Sequence, residues 1–363
     1  MDRIAGVWQR VQRCLFQLEE CLPGRLEETQ RDLVAVLEIV RIEAAVAPGW
    51  QQRRGRPRRD RQAIARALVA KAVYGLADTK ALVARLRSDE RLRRLCGWER
   101  RGLVPSEATF SRAFAEFAAQ RLGDRVHEAL VRYYQGDQIV WHVSRDSTAI
   151  EARERPAKKV ETPARPKRRP GRPKKGEVVA PTAPSRLPRQ YAQTAEEALA
   201  ELPTACDVGI KCDAQRHQRR WEGYKLHADV GDGGLPLTVV TTSASVHDSQ
   251  VAIPLLKLTA ARVTSWYDLM DSAYDARLIR QLSEELGHVP LIEAQPRRRG
   301  ASPPLAPHEA VRYRHRSTAE RFNSQLKDNY GGRHVRVRGH AKVHLHLMFG
   351  VLTIFALTLE RLL

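Results

Sequence analysis

Four residues near the C-terminus combine one carboxylate, two cations and a phenol at regular intervals. Tyr313, Arg316, Glu320 and Lys327 occur in the order Tyr-x2-Arg-x3-Glu-x6-Lys. At about 3.6 residues per turn, this spacing predicts one shared helical face. A carboxylate between cations is typical of a site where a metal ion meets a phosphodiester. The alternative is a solvated helix whose Arg316–Glu320 ion pair adds little to stability.

Two aspartates are placed to complete such a site. Asp146 follows a predicted strand at 138–144 within two residues, and Asp271 directly follows a predicted strand at 263–270. Carboxylates just past strand ends lie at the rim of an open sheet, where ligands bind. With Glu320 they would form an all-oxygen site that suits Mg²⁺ or Mn²⁺. Two ions ~3.5–4 Å apart could then activate a water or 3′-hydroxyl and stabilise the leaving oxygen.

Each aspartate considered alone also has a simpler explanation, because Asp after a strand often caps a turn or helix. We expect Asp248 and Asp275 to be caps of this kind. Asp268 is an alternative ligand on the same segment as Asp271. It lies inside the predicted strand, so Asp271 is the preferred ligand.

The elements that must position these residues alternate between strands and helices. Strands are predicted at 138–144, 224–230, 237–243, 263–270 and 289–292, and helices at 248–261 and 275–286. Short links between the first three strands favour an antiparallel meander, whereas strands separated by helices add in parallel. This order predicts an α/β fold with a ribonuclease-H-like mixed sheet, preceded by an all-helical N-terminal domain.

Composition divides the chain into segments. We expect a helical segment at 1–50, a basic arm and helical DNA-binding domain at 51–135, the first catalytic strand at 136–151, a basic, Pro-rich, mostly disordered insertion at 152–220, and the rest of the catalytic domain at 221–363. Half of the net charge of +20 lies in residues 152–190, which carry 13 Lys/Arg and 3 Asp/Glu. This concentration indicates a nucleic-acid partner.

A membrane role is disfavoured by composition. The sequence shows no signal peptide, lipidation motif or basic amphipathic helix, and the apolar run at 347–359 is too short to span a bilayer. The five cysteines are odd in number and form no C-x-x-C pair. A reduced, cytoplasmic protein is the simplest interpretation.

Together these motifs resemble those of the DDE transposases of bacterial insertion sequences. The Tyr-x2-Arg-x3-Glu-x6-Lys spacing is similar to the signature of one large superfamily. Asp146-Ser-Thr and Asp271-Ser-Ala-Tyr-Asp275 are similar to its first and second aspartate motifs. Further similar stretches are Tyr224-Lys-Leu-His, Val246-His-Asp248 and Val104-Pro-Ser-Glu-Ala-Thr-Phe110. The resemblance covers about residues 55–360, leaving out the basic linker.

The resemblance implies roles for individual residues and partners. Asp146, Asp271 and Glu320 would be the metal-binding triad, and Tyr313, Arg316 and Lys327 would hold phosphates of the transposon end. The cofactor would be Mg²⁺ or Mn²⁺, with two ions. The partners would be double-stranded DNA of the terminal inverted repeats and the target, bound by a homodimer in a bacterial, nucleoid-associated complex.

Two short basic motifs resemble AT-hooks. Arg54-Gly-Arg-Pro57 and Pro170-Gly-Arg-Pro173 each contain an extended Gly-Arg-Pro core that fits a narrow minor groove. This interpretation assigns Arg54, Arg56 and Arg172 to DNA. The alternative is a generic basic linker that neutralises phosphates without reading groove width.

Other DNA contacts are predicted on either side of the sheet region. Residues 106–118 suit the recognition helix of a helix-turn-helix. Phe110, Phe114 and Phe117 more simply mark its buried face. Beyond the signature, Arg336 and Arg338 lie in a basic run for which phosphate tracking is favoured over base reading.

Two rival functions remain open. A structure-specific nuclease on the same fold would cut DNA without strand transfer, and terminal inverted repeats flanking the gene would argue against it. A non-enzymatic DNA-binding protein descended from a transposase is the other rival. An intact carboxylate triad argues against it, because a binding module has no use for three metal ligands.

Overall fold

The computed structural model describes residues 25–46, 60–156, 185–212, 217–294, 305–333 and 335–363. The N-terminal region contains α1 (Glu28–Val40), α2 (Arg61–Val73), α3 (Thr79–Ser88), α4 (Glu90–Cys96), α5 (Glu107–Ala119) and α6 (Leu122–Gln135). The strands are β1 (Ile139–Glu151), β2 (Asp207–Cys212), β3 (Gln218–Val230), β4 (Pro236–Ser243), β5 (Thr264–Met270) and β6 (Val289–Ile292). The later helices are α7 (Arg186–Ala192), α8 (Ala195–Ala200), α9 (Ser249–Ala260), α10 (Arg277–Glu285), α11 (Pro307–Tyr313), α12 (Ser317–Asp328) and α13 (His340–Leu362).

Aspartates fix where three of the N-terminal helices begin. Asp60, Asp78 and Asp89 precede α2, α3 and α4, and each side chain accepts hydrogen bonds from backbone amides of the first turn. These bonds satisfy amides that have no partner within the helix. The N-terminal region is therefore helical, as predicted.

The sheet has the mixed topology that the order of elements predicts. Strands β4, β3, β1, β5 and β6 lie side by side in that order, and β2 pairs with the first half of β3. Strand β1 is antiparallel to β3 and parallel to β5, and β5 is parallel to β6. The meander followed by parallel additions confirms the α/β, ribonuclease-H-like fold.

Strand β1 is longer than predicted, and this changes the position of Asp146. The expected strand ended at residue 144, but β1 continues to Glu151, so Asp146 lies within it, opposite Ala228 of β3. Arg145 is buried and donates two hydrogen bonds to the buried carboxylate of Asp229.

Part of the segment predicted to be a disordered insertion belongs to the fold. Helices α7 and α8 and strand β2 lie within the interval 152–220. The Lys257 ammonium of α9 donates hydrogen bonds to the carbonyls of Gln190 and Tyr191, and Leu202 packs on α9. These contacts come from residues far away in the sequence, so local composition does not reveal them. Residues 157–184 and 213–216 lie outside the described residues.

The C-terminal helix α13 forms the centre of the core. One side packs with α1, α2, α5 and α6, and the other packs with β3, β4 and α12. Gly350 allows the close approach to α12, because a Cβ there would come within 2.6 Å of Leu326 Cδ1. The apolar run expected at 347–359 is the middle of this 23-residue helix. By length and composition α13 could cross a membrane, but most of it is buried inside the protein.

Candidate active site

The two predicted aspartate ligands lie on neighbouring parallel strands. Arg145 and Met270 are paired in register, so the residues that follow them, Asp146 and Asp271, come together. The Asp271 carboxylate accepts a hydrogen bond from the Ala273 amide at 2.9 Å, which fixes its orientation just beyond β5. Burial, together with the negative charge of Asp271, raises the pKa of Asp146 to about 6. Burial also raises the pKa of Asp271.

Asp248 contributes a third carboxylate to this region. We expected it to cap the helix that follows, but its side chain makes no capping hydrogen bond to α9. Instead it accepts a hydrogen bond from Lys225 Nζ at 2.9 Å, and its charge also helps to raise the pKa of Asp271. This ion pair joins the Asp248 carboxylate to β3. The cap prediction for Asp248 was therefore wrong.

Two polar side chains beside the aspartates have unused hydrogen-bonding atoms. Asn323 Nδ2 of α12 donates to Asp146 Oδ2 at 2.9 Å, while Asn323 Oδ1 is buried without a partner among the described residues. The buried Tyr274 hydroxyl also lacks a partner in that part of the chain. Burial and the three aspartates raise the pKa of Tyr274 well above its usual value. Carboxylate, amide and phenol oxygens therefore occur in one region, and oxygen donors suit a hard cation. The ligand atoms of Asp146, Asp248 and Asp271 are not all within 4.8 Å of one another.

The signature residues do not share one regular helix, contrary to the prediction. Tyr313 ends α11, Arg316 lies in a 3₁₀ turn at Arg314–Arg316, and Glu320 and Lys327 lie on α12. The Tyr313 hydroxyl donates to the Met270 carbonyl at 3.1 Å. The Ser144 hydroxyl donates to the His315 carbonyl at 2.9 Å. These bonds to β1 and β5 hold the tight turn against the sheet.

Glu320 is displaced from the two aspartates. Its side chain is 51% exposed and accepts a hydrogen bond from Arg316. The ligand atoms of Asp146, Asp271 and Glu320 are not all within 4.8 Å of one another. Burial acts to lower the pKa of Arg316. Tyr313 and these three carboxylates together act more strongly in the opposite direction, so the pKa of Arg316 is raised. The positive charge of Arg316 is therefore within electrostatic range of all three carboxylates.

Several cationic side chains near the site are close enough to affect one another. The pKa of Lys327 is lowered by burial and by the charges of Lys211, Arg219 and Arg333. Lys211 of β2 also opposes the rise in pKa of Asp146 and Asp271. Closely spaced cations beside carboxylates suit a phosphate backbone. Sequence reasoning missed Lys211, because β2 lies inside the interval expected to be disordered.

Asp268, the alternative ligand, is used to hold the fold together. It is buried and accepts hydrogen bonds from Ser283 at 2.6 Å and His288 at 2.9 Å. Burial acts to raise the pKa of Asp268. The hydrogen bond from His288 acts in the opposite direction and helps to keep this pKa below its usual value. The carboxylate therefore joins β5 to α10 and the segment that follows it.

The other predicted DNA contacts are more dispersed. Arg336 pairs with Asp78 at the start of α3, at 2.9 Å, whereas Arg338 is exposed. Arg54, Arg56 and Arg172 lie outside the described residues. In α5, Phe110 and Phe117 are buried and Phe114 packs on Phe349. This face of α5 is therefore part of the core, and only its polar face is free to contact DNA.

Two comparisons with known families agree with this arrangement. Residues 201–356 match a family model described as a transposase DDE domain, and residues 17–116 match one described as Transposase domain (DUF772). No curated protein and no solved structure gives a match. The first match contains β2 to β6 together with Asp271 and Glu320, but it begins after β1 and Asp146. The second match contains most of the N-terminal helices. The chain therefore belongs to the DDE transposases of insertion sequences.

Proposed function

We propose that this transposase cuts DNA at the ends of its element and joins the 3′-ends to target DNA in a metal-dependent reaction. Asp146, Asp271 and Glu320 are the proposed ligands of two Mg²⁺ or Mn²⁺ ions. The observation that carries the proposal is the pair of half-buried aspartates, whose negative charges repel each other. Their neighbour Asn323 has a side-chain oxygen without a partner among the described residues. A divalent cation would relieve that repulsion.

The protein residues have separate tasks in this proposal. Bound dications would supply Lewis-acid stabilisation of the attacking and leaving oxygens. Asp146 and Asp271 are held by the sheet, so they provide a fixed base for the ions. Glu320 is exposed and paired with Arg316, so it can join the aspartates by a change of rotamer. Arg316 would then be free to contact a phosphate.

The DNA would lie across the cations beside the site. Tyr313, Arg316 and Lys327 are proposed to hold phosphates of the transposon end, with Arg336 and Arg338 following the backbone further along. Arg54, Arg56 and Arg172 are proposed to enter the minor groove from the basic segments. We propose that a homodimer binds the terminal inverted repeats and the target, and that the protein acts at the bacterial nucleoid.

The proposed domains also have separate roles. The helical segment at 1–50 would precede a DNA-binding domain at 51–135, and 136–151 with 221–363 would carry out catalysis. The basic insertion at 152–220 would add affinity through its charge. The contact between Arg336 and Asp78 supports close coupling of the DNA-binding and catalytic parts.

The proposal is tested with purified protein and DNA carrying the element's own ends. Nicked or cut ends, and joined products with a second duplex, are expected with Mg²⁺ or Mn²⁺ and not with a chelator. Asp271→Ala should abolish both products, whereas Asp137→Ala, which changes an exposed aspartate before β1, is not expected to do so. Cut ends without joined products would favour the nuclease. DNA binding with no cutting under any metal would favour the non-enzymatic DNA-binding protein.

A further inference from the structure

A group of side chains outside the aspartate site has the composition of a transition-metal site. His142, Asp232 and His315 each place one ligand atom so that all three lie within 4.8 Å of one another. They come from three separate elements: the start of β1, the turn between β3 and β4, and the 3₁₀ turn Arg314–Arg316. No other group of at least three His, Cys, Asp or Glu residues in the described ranges meets this criterion.

Asp232 is already oriented as a ligand would be. Its Oδ2 accepts hydrogen bonds from the backbone amides of Trp141 at 2.7 Å and His142 at 3.1 Å. Its Oδ1 accepts one from His142 Nδ1 at 3.0 Å. Carboxylates that are themselves hydrogen-bonded hold metal ions in a defined position. The carboxylate therefore presents one oxygen to the imidazole and is fixed through the other.

The His142 imidazole has an atom whose bonding is incomplete. Its side chain is only 11% exposed, and its Nε2 is buried without a partner among the described residues. A buried ring nitrogen without a partner loses free energy relative to one in water. The nitrogen that faces Asp232 is Nδ1, at 3.0 Å, so a cation shared with Asp232 and His315 would bind there and the ring proton would move to Nε2.

His315 can adjust to close the site. Its ring stacks on His142 with centroids 4.5 Å apart and planes only 4° apart. Parallel rings do not direct two lone pairs at one point, so one ring must rotate. The His315 side chain is on the exposed side of the stack, whereas the other face of His142 lies against Tyr267 at 5.5 Å. Rotation of His315 therefore meets less packing than rotation of His142.

We propose that His142, Asp232 and His315 bind one first-row transition-metal dication, for which Zn²⁺ is the test ion. Two imidazole nitrogens and one carboxylate oxygen suit Zn²⁺, with water as a fourth ligand. Mg²⁺ prefers all-oxygen sites, so this site selects a different metal from the aspartate site. The nearby Arg312 guanidinium lies over the Tyr267 ring at 4.5 Å and opposes cation binding, which limits affinity.

The bound ion would hold the signature segment on the sheet. Tyr313 and His315 are already joined to Met270 and Ser144 by one hydrogen bond each. A metal bridge from His315 to β1 and to the β3–β4 turn would add a third attachment on the same short stretch. This turn contains Arg316, the partner of Glu320, so metal binding would reduce the motion of that ion pair.

The experiment uses the full-length protein, freed of metal and kept in excess Mg²⁺ so that the oxygen ligands are saturated. Zn²⁺ binding is measured by titration calorimetry and by metal analysis after dialysis. Co²⁺ is used as a spectroscopic probe, because nitrogen and oxygen ligation lacks the charge-transfer band that thiolate ligation gives. One equivalent should bind, with no thiolate band, and Zn²⁺ should raise the melting temperature.

His315→Asn is the decisive variant, since the ring is exposed and its loss should not affect folding. It should lose the stoichiometric Zn²⁺ and the rise in melting temperature, and His142→Asn should lose the same ion. His308→Asn is the matched control, an exposed histidine on the neighbouring α11, and should bind as the parent does. Equal binding by His315→Asn and the parent, or no binding by either, would overturn the proposal and leave the stacked rings with a purely structural role.

Discussion

Asn323 and Asp146 are joined by a hydrogen bond of 2.9 Å from the amide Nδ2 to the carboxylate Oδ2. The bond links α12 to the middle of β1. Glu320 precedes Asn323 by three residues on the same helix, so the position of the proposed third ligand depends on this contact. The amide also leaves one buried oxygen unused beside the aspartates.

Asn323→Ala should reduce metal-dependent cleavage by ~10–100-fold without unfolding the protein, as expected for a residue that orients a metal ligand. Cleavage rates at increasing Mg²⁺ concentration provide the measurement. The matched control is Asn329→Ala, an exposed asparagine just beyond the end of α12. An Asn323→Ala protein with unchanged rates would show that the bond to Asp146 has no part in catalysis.

The identity of the third carboxylate is tested by a pair of isosteric changes. Glu320→Gln should lower the cleavage rate by ~100-fold or more, because metal-borne charge stabilisation is worth several kcal/mol. Asp248→Asn should mainly leave the Lys225 ammonium unpaired and lower the melting temperature. Single-turnover rates and thermal unfolding separate these effects. An inactive Asp248→Asn beside an active Glu320→Gln would mean that Asp248 is the ligand.

Lys211 and Lys327 should contribute to DNA affinity rather than to the metal site. Lys211→Ala and Lys327→Ala should each weaken binding and reduce the slope of log affinity against log salt by ~0.9 for each phosphate that the variant no longer neutralises. Arg361→Ala, an exposed arginine at the end of α13, is the control for the removal of one charge. A slope unchanged from the parent in both lysine variants would contradict the assignment.

Stability should decrease in mild acid because three histidines are buried in neutral form. Burial lowers the pKa of His127, His227 and His346 to about 4 in each case. The unfolded histidines have a pKa of about 6.5, so the unfolded state binds more protons between these values. Stability should therefore be full above about pH 6.5 and fall towards about pH 4, by up to about 3 kcal/mol per histidine.

Urea unfolding across this pH range provides the test. His346→Gln can still donate a hydrogen bond to the Gly331 carbonyl, which His346 contacts at 3.0 Å, but it cannot take up a proton. Its unfolding free energy should therefore depend less on pH than that of the parent. His308→Gln changes an exposed histidine and should leave the pH dependence unchanged. Identical pH dependence in His346→Gln and the parent would show that burial does not shift this group.

Deletion of residues 157–184 removes nine Lys/Arg and two Asp/Glu. DNA affinity should fall and become less dependent on salt. The melting temperature should barely change, because this composition offers few apolar groups to a core. A neutral Gly/Ser replacement of equal length separates charge from length. If the Gly-Arg-Pro motif enters the minor groove, the decrease in affinity should be larger on A·T-rich than on G·C-rich duplex.

Hydrophobic periodicity predicted β4, β5 and β6 within a few residues, because their apolar side chains are consecutive or alternate. It failed in the second half of β1, where Arg145 is buried in the strand. A buried cation is stable only with a partner, and that partner, Asp229, lies on β3. Such a pairing depends on the register between two strands, which one segment of sequence does not contain.

The candidate site could be predicted to a similar extent. Asp146 and Asp271 were predicted because each lies beside a recognisable strand segment. Lys211 and Asn323 were missed, since their approach to the aspartates depends on how β2 and α12 pack. The 3₁₀ turn that separates Tyr313 from Glu320 was also missed, because hydrogen bonds to the sheet determine it rather than helical spacing.

The position of α13 has a consequence for synthesis of the protein on the ribosome. This helix is translated after the N-terminal helices, yet it fills the core of the helical region that they form. The N-terminal helices emerge from the ribosome earlier, with an apolar surface that residues 340–362 cover in the folded protein. The helical region can therefore complete its core only after residues 340–362 have left the ribosome. A nascent chain stopped before residue 340 should be a substrate for chaperones and proteases rather than a free DNA-binding fragment.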